Sequence, residues 1–343
     1  MIKVKDLVKN YGNFEAVKGL NMNVEKGQIV GLLGPNGAGK STTMNIITGY
    51  ISATSGSVMV DGHDIMAEPM AAKKAIGYLP EIPPLYMDMT VVSYLKFVAE
   101  LKGVPSKDRP AEVKRVMQVV SISDRAGRII SKLSKGYKQR VGFAAALIGN
   151  PPILILDEPT VGLDPSQVVE IRELIKSLKD EHTVILSSHI LSEVSEICDH
   201  IIIINDGVVV AEDTPENLSD TYSNQSHVIM EIKGDKDSIA SVLKEVDYVD
   251  SFDFKSESEG IVTVALKLNT DEDKNDDLFY VFADKRMPVH KVSRENLSLE
   301  EVFLKLTESE AADVVDDAPV DGVEASSDAE EIVEDNDESE VEE

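Results

Sequence analysis

Gly34-Pro35-Asn36-Gly37-Ala38-Gly39-Lys40-Ser41-Thr42 is the stretch whose residue types and spacing most plainly do chemistry. It fills every fixed position of GxxxxGK[ST], between the apolar run Ile29-Val30-Gly31-Leu32-Leu33 and the helix-like Thr43-Met44-Asn45-Ile46-Ile47. Strand, glycine loop and helix in that order form a phosphate cradle. Glycines let successive backbone N–H groups turn inward, and the following helix presents its positive end to the same anion. Lys40 is placed to reach β- and γ-phosphates, and the Ser41 hydroxyl to bind Mg²⁺. A chance glycine-rich turn accounts for neither the filled positions nor the flanks.

The second chemical element is Ile153-Leu154-Ile155-Leu156-Asp157-Glu158. Four apolar residues followed by acids place carboxylates at the open C-terminal end of a buried strand, where ligands bind in such sheets. Asp157 is expected to hold Mg²⁺, directly or through water, and Glu158 to polarise an attacking water.

These residues need an alternating frame to position them, and the pattern supplies one. Residues 2–8 and 14–24 read as strands around a Tyr11-Gly12-Asn13 turn, and strands follow at 57–60 and 75–79. From Glu81 to about Leu133 the chain turns helical, with Thr90 capping a helix over 91–102 and a second over 108–121. Alternation resumes with helices near 137–149, 165–179 and 190–197, strands at 153–156, 183–186 and 201–204, and an Asn205-Asp206-Gly207 hairpin turn. The expected class is α/β with a mainly parallel sheet, N-terminal antiparallel strands and a helical insert at about 81–135. Residues 1–215 read as the nucleotide domain. Residues 216–307 read as a small α+β domain whose βαββαβ order is ferredoxin-like, ending in a helix opened by the capping-box pair Ser298 and Glu301.

The formal net charge is −28, against the basic face that nucleic acid demands. Residues 308–343 hold 17 Asp and Glu and no Lys or Arg, which leaves −11 for residues 1–307. That acidic stretch lacks aromatics and reads as a disordered tail. The single cysteine, Cys198, allows no internal disulfide and reads as a buried structural thiol. His63 sits beside a turn with no metal-ligand spacing around it. No apolar run approaches the ~20 residues of a membrane span.

With these elements in order, residues 1–210 resemble the ATP-binding subunit of an ABC transporter. Leu133-Ser134-Lys135-Gly136-Tyr137-Lys138-Gln139-Arg140 resembles the LSGGQ signature, Val161-Gly162-Leu163-Asp164-Pro165 the D-loop, and Ser187-Ser188-His189 the switch histidine, while Tyr11 stands where the family stacks an aromatic on adenine. The resemblance implies that Ser134 and the N–H of Gly136 bind the γ-phosphate of a partner subunit's ATP. It implies that Asp164 links the two sites and that His189 contacts the γ-phosphate. One P-loop and one signature per chain then require a head-to-tail dimer, expected to be a homodimer, closed by ATP and released by hydrolysis.

Three positions depart from the family pattern. Glu81 replaces the Q-loop glutamine as a possible Mg²⁺ ligand, and Lys135 and Tyr137 replace the signature's Gly and Gln. The run from Tyr78 to Tyr86, with Leu133–Tyr137, is similar to the subfamily paired with ABC-2-type permeases. That implies an exporter's ATPase, peripheral on the inner face of the cell membrane, docking a separate permease near Pro83–Leu95. The alternative, a soluble non-transport ATPase of the same family, expects two cassettes or a long coiled coil. A small GTPase or kinase lacks a place for the signature, and no Asn-Lys-x-Asp guanine motif is present.

Overall fold

The structure, a computed structural model, describes residues 1–188, 190–222, 227–258, 260–270, 272–294 and 299–308. His189, Ser298 and the acidic stretch beyond Glu308 lie outside the described residues.

The chain opens with β1 (Ile2–Tyr11) and β2 (Phe14–Val24), then β3 (Ile29–Leu33), α1 (Lys40–Ile47), β4 (Ser55–Val60), β5 (His63–Asp64), α2 (Pro69–Lys74) and β6 (Ile76–Leu79). The helical insert carries α3 (Val91–Leu101) and α4 (Arg109–Val119). It is followed by α5 (Lys135–Leu147), β7 (Ile153–Leu156), α6 (Pro165–Ser177), β8 (Thr183–Ser187), α7 (Leu191–Ile197), β9 (His200–Asn205) and β10 (Val208–Asp213).

The central sheet runs β10-β9-β3-β8-β7-β6, parallel except for the antiparallel edge pair β9–β10. Its inner strands are largely apolar, β3 and β7 wholly buried, because both faces are covered. Along β7, Leu154 and Leu156 enter a core shared with α3 to α7, while Ile153 and Ile155 enter another shared with α1 and the antiparallel sheet β2-β1-β4-β5. Ile201 and Ile203 on β9 divide from Ile202 and Ile204 in the same way. The β9–β10 turn has positive φ at Asp206 (44°) and Gly207 (81°), the conformation a tight two-residue hairpin requires.

After α8 (Pro215–Tyr222) come β11 (His227–Lys233), α9 (Lys236–Lys244), β12 (Val249–Ser258), β13 (Ile261–Leu268), α10 (Asn275–Asp284), β14 (Val289–Arg294) and α11 (Leu299–Glu308). The four strands form a wholly antiparallel sheet in the order β12-β13-β11-β14. Val228, Met230 and Ile232 alternate along β11 onto a separate core beneath Ile239, Leu243, Leu278 and Phe282 of α9 and α10. The flanking helices pack elsewhere. Leu218 of α8 and Leu299 of α11 join the α3–α7 core, with Phe303 and Leu306 against it, and α11 lies on α7 and α8.

Candidate functional site

The phosphate cradle is built by backbone conformation. Gly39, the N-cap of α1, has φ 105°, and a Cβ there would meet the Ala16 carbonyl oxygen at 2.7 Å. No side chain caps α1. The helices α3, α5, α6 and α9, by contrast, are capped by Thr90, Ser134, Asp164 and Asp235. The helices α2, α4, α7 and α10 are uncapped as well, so what distinguishes α1 is the positive-φ glycine loop before it, Gly37 (84°) and Gly39 (105°), whose N–H groups can turn toward an anion. The buried Lys40 Nζ donates to the carbonyls of Gly34 (2.8 Å) and Pro35 (3.0 Å), which keeps the ammonium over its own loop. Burial holds Lys40 below the ordinary lysine value, opposed by the Glu158 and Asp157 carboxylates.

A cavity of about 500 Å³ joins these groups. Tyr11, Asn36, Gly37, Ala38, Gly39, Lys40, Ser41, Thr42, Glu81 and Glu158 all line it. Gly34 and Pro35 do not, and act through their carbonyls. Asp157, at the end of β7, does not line it either, and is held from behind. Ser187 Oγ, on β8, donates to Asp157 Oδ1 (2.7 Å) and accepts from the Glu158 N–H (2.9 Å). Glu158 has φ 47°, a conformation that a non-glycine residue adopts only when its surroundings impose it.

Two residues not singled out in the sequence, Phe14 and Ala16, also line the cavity, as does Val161 of the D-loop run. Phe14 pairs with Tyr11 across the β1–β2 hairpin, and both rings are exposed. The only advance signal was an aromatic just past the turn. Lys9 Nζ lies 5.2 Å from the centre of the Tyr11 ring.

Ser134, Gly136 and Asp164 do not reach this cavity. Gly136 opens on a second cleft, shared with Ser166, Gln167 and Arg140, and Ser134 on a third with Arg125, Arg128 and Tyr137. Ser134 Oγ and Asp164 Oδ1 accept from the Tyr137 and Gln167 N–H groups, at 3.5 and 3.0 Å. Donation from Ser166 Oγ, and then from the Gln167 N–H, holds Asp164 below the usual carboxylate range. Gln139 Nε2 donates to the Pro159 carbonyl (3.1 Å), and Thr160 Oγ1 to Glu193 of α7 (2.6 Å), tying α5 and α7 to the turn after Glu158.

A sequence model described as ABC transporter matches residues 17–161. The chain is 35% identical over 308 residues to the bacitracin transport ATP-binding protein BcrA of Bacillus licheniformis, covering 89% of this chain and 97% of that one. It is 40% identical over 229 residues to the lantibiotic transport ATP-binding protein SrtF of Streptococcus pyogenes, covering 66% and 97%. Among solved structures, the dimeric bacterial ABC transporter cassette MJ0796 superposes with a TM-score of 0.57 at 29% identity, over 62% of this chain and 98% of that one. The same cassette is also known as a dimer in a post-hydrolysis state with ADP and Pi. This chain belongs to the ABC transporter family, as one of its ATP-binding, ATP-hydrolysing proteins.

Proposed function

We propose that each subunit supplies half of an ATP site and that the second half comes from a partner copy arranged head to tail. The observation that carries this is the division of groups within one chain. The loop, Glu81 and Glu158 share one cavity, while Ser134 and Gly136 open on others. In the proposed mechanism Tyr11 stacks on the base, and the loop from Gly34 to Thr42 wraps the phosphates with Lys40 over the β- and γ-oxygens. Glu158 orients water for attack on the γ-phosphorus and takes its proton. Ser134 and the Gly136 N–H of the partner close on the γ-phosphate, Asp164 meets the partner across the interface, and His189 reads that phosphate.

The donors present fit Mg²⁺. The Ser41 hydroxyl and the Glu81 carboxylate line the cavity, Asp157 ends β7 next to Glu158, and all three offer hard oxygen. Among the described residues no three His, Cys, Asp or Glu side chains form a metal cluster. Ser41, Asp157 and Glu81 would hold Mg²⁺, and it would supply charge neutralisation at the phosphates.

The output is delivered to a separate membrane permease. No helix among the described residues is long and apolar enough to cross a membrane. An apolar groove of about 660 Å³ lies against the helical insert, walled by Tyr78, Pro83, Pro84 and Tyr94, with the exposed Ile82 also lining it. We assign it to a permease helix, which would place the chain at the inner face of the membrane. The relatives BcrA and SrtF, which serve bacitracin and lantibiotic transport, support an exporter. The test is gel filtration of Glu158→Gln with ATP. A dimer that forms with ATP and not with ADP supports the paired site; a monomer under both contradicts it.

A further inference from the structure

Two side chains cross between the signature turn and the D-loop in opposite directions, and each ends on a glycine. A Cβ placed on Gly136 would collide with the Gln167 carboxamide, and one placed on Gly162 would collide with the Lys135 ammonium. Gln167 also donates its backbone N–H to the Asp164 carboxylate at 3.0 Å. One residue therefore donates to the D-loop aspartate that caps α6 and covers the signature glycine. The crossing point is where α5 and α6 begin, Lys135 being the first residue of α5 and Pro165 of α6.

Lys135 is poorly placed for helix stability. A cation at a helix N-terminus opposes the helix dipole. Nor does an exposed lysine need to fold back over a glycine to be solvated. The glycine at 162 leaves room for the ammonium, as the glycine at 136 leaves room for the amide. Each motif has given up a side chain where the other motif's side chain lands.

We propose that Lys135 and Gln167 form a reciprocal clasp that makes the signature turn and the D-loop one rigid body. The two are positioning residues. They set the angle at which Ser134, Gly136 and Asp164 meet the partner subunit, so that the three engage together. This rests on the paired-site reading above, which concerns where those groups act; the clasp concerns what holds them in register.

The test compares Lys135→Ala, Gln167→Ala and the double variant, each in the Glu158→Gln background. All three variants change exposed or half-buried side chains. ATP binding to the separated subunits, measured at protein concentrations below dimerisation, should stay within about twofold. The ATP concentration that half-converts monomer to dimer should rise about 10-fold for each single variant. The double variant should be little worse than either, because one clasp is lost in each case. Hydrogen exchange in the monomer should quicken at the Tyr137 and Gln167 amides. Unchanged dimerisation and exchange in both single variants overturns the clasp, as does an equal loss of ATP binding by the separated subunits, which would place the effect in the fold. If the Glu158→Gln parent never dimerises, the paired site fails instead, and with it any role for the clasp in closure.

Discussion

Ser187 donates from its Oγ to Asp157 at 2.7 Å and with the same oxygen accepts the Glu158 N–H at 2.9 Å. A single hydroxyl on β8 thereby aims both acids that end β7. Glu158 itself sits at a positive φ of 47°.

Ser187→Ala removes both bonds without removing either carboxylate. Turnover should fall by about 10-fold while ATP binding changes little, since the lost hydrogen bonds position groups used at the chemical step. Steady-state kinetics and ATP titration separate the two. An unchanged kcat would release Ser187 from this role.

Glu81 lines the nucleotide cavity where the family commonly has glutamine. A carboxylate attracts Mg²⁺ more strongly than an amide does. Glu81→Gln should therefore raise the half-saturating Mg²⁺ concentration about threefold, with kcat at saturating Mg²⁺ nearly constant. Identical Mg²⁺ titrations for parent and variant would show that the departure is neutral.

Tyr11 and Phe14 offer two rings at the mouth of one cavity. Loss of a stacking face costs about 1–3 kcal/mol per base, so Tyr11→Ala should weaken ATP binding roughly 10-fold or more. Because any base has a π-face, GTP should weaken in proportion. Phe14→Ala should weaken both nucleotides in the same direction and by less. A Tyr11→Ala protein with parental ATP affinity would remove the ring from the site.

Lys102 fixes the far end of the signature helix. Its ammonium donates to the carbonyls of Ala146 (2.8 Å) and Ile148 (3.1 Å), and burial pushes it down to about 8. Above that pH the folded state sheds a proton that the unfolded chain keeps until about 10.4, so stability rises through this window. From pH 7.5 to pH 10 the parent should gain roughly 2 kcal/mol relative to Lys102→Met. Chemical denaturation of both proteins across that range checks the slope. Parallel curves would mean that Lys102 titrates normally.

Much of this architecture was legible because its signals are local. The continuous apolar runs at 29–33, 153–156 and 201–204 announce strands covered on both faces, and the glycine spacing at 34–39 announces a phosphate loop. What escaped depends on contacts between distant segments. Phe14 carries no motif and gains its place by pairing with Tyr11. The clamp from Ser187 to Asp157 spans 30 residues, and nothing in a Ser-Ser-His run tells which hydroxyl faces β7. Lys135 and Tyr137 read as departures from a pattern. Only the folded chain puts Lys135 over Gly162 and the Tyr137 ring 5.0 Å from the Arg125 guanidinium. The capping-box spacing of Ser298 and Glu301 marked a last helix, but not α7 and α8 as the elements that α11 lies on.

The central claim is that Lys40 and Ser134 of one chain serve different sites. Mixing two inactive variants, Lys40→Ala and Ser134→Arg, tests it most directly. In a head-to-tail dimer the mixed pair keeps one site whole, made by the intact loop of one subunit and the intact signature of the other. With random exchange half the dimers are mixed, so an equal mixture should recover up to about a quarter of parental ATPase activity, where each variant alone has almost none. No recovery, in a mixture shown to exchange subunits, would contradict a site shared between chains.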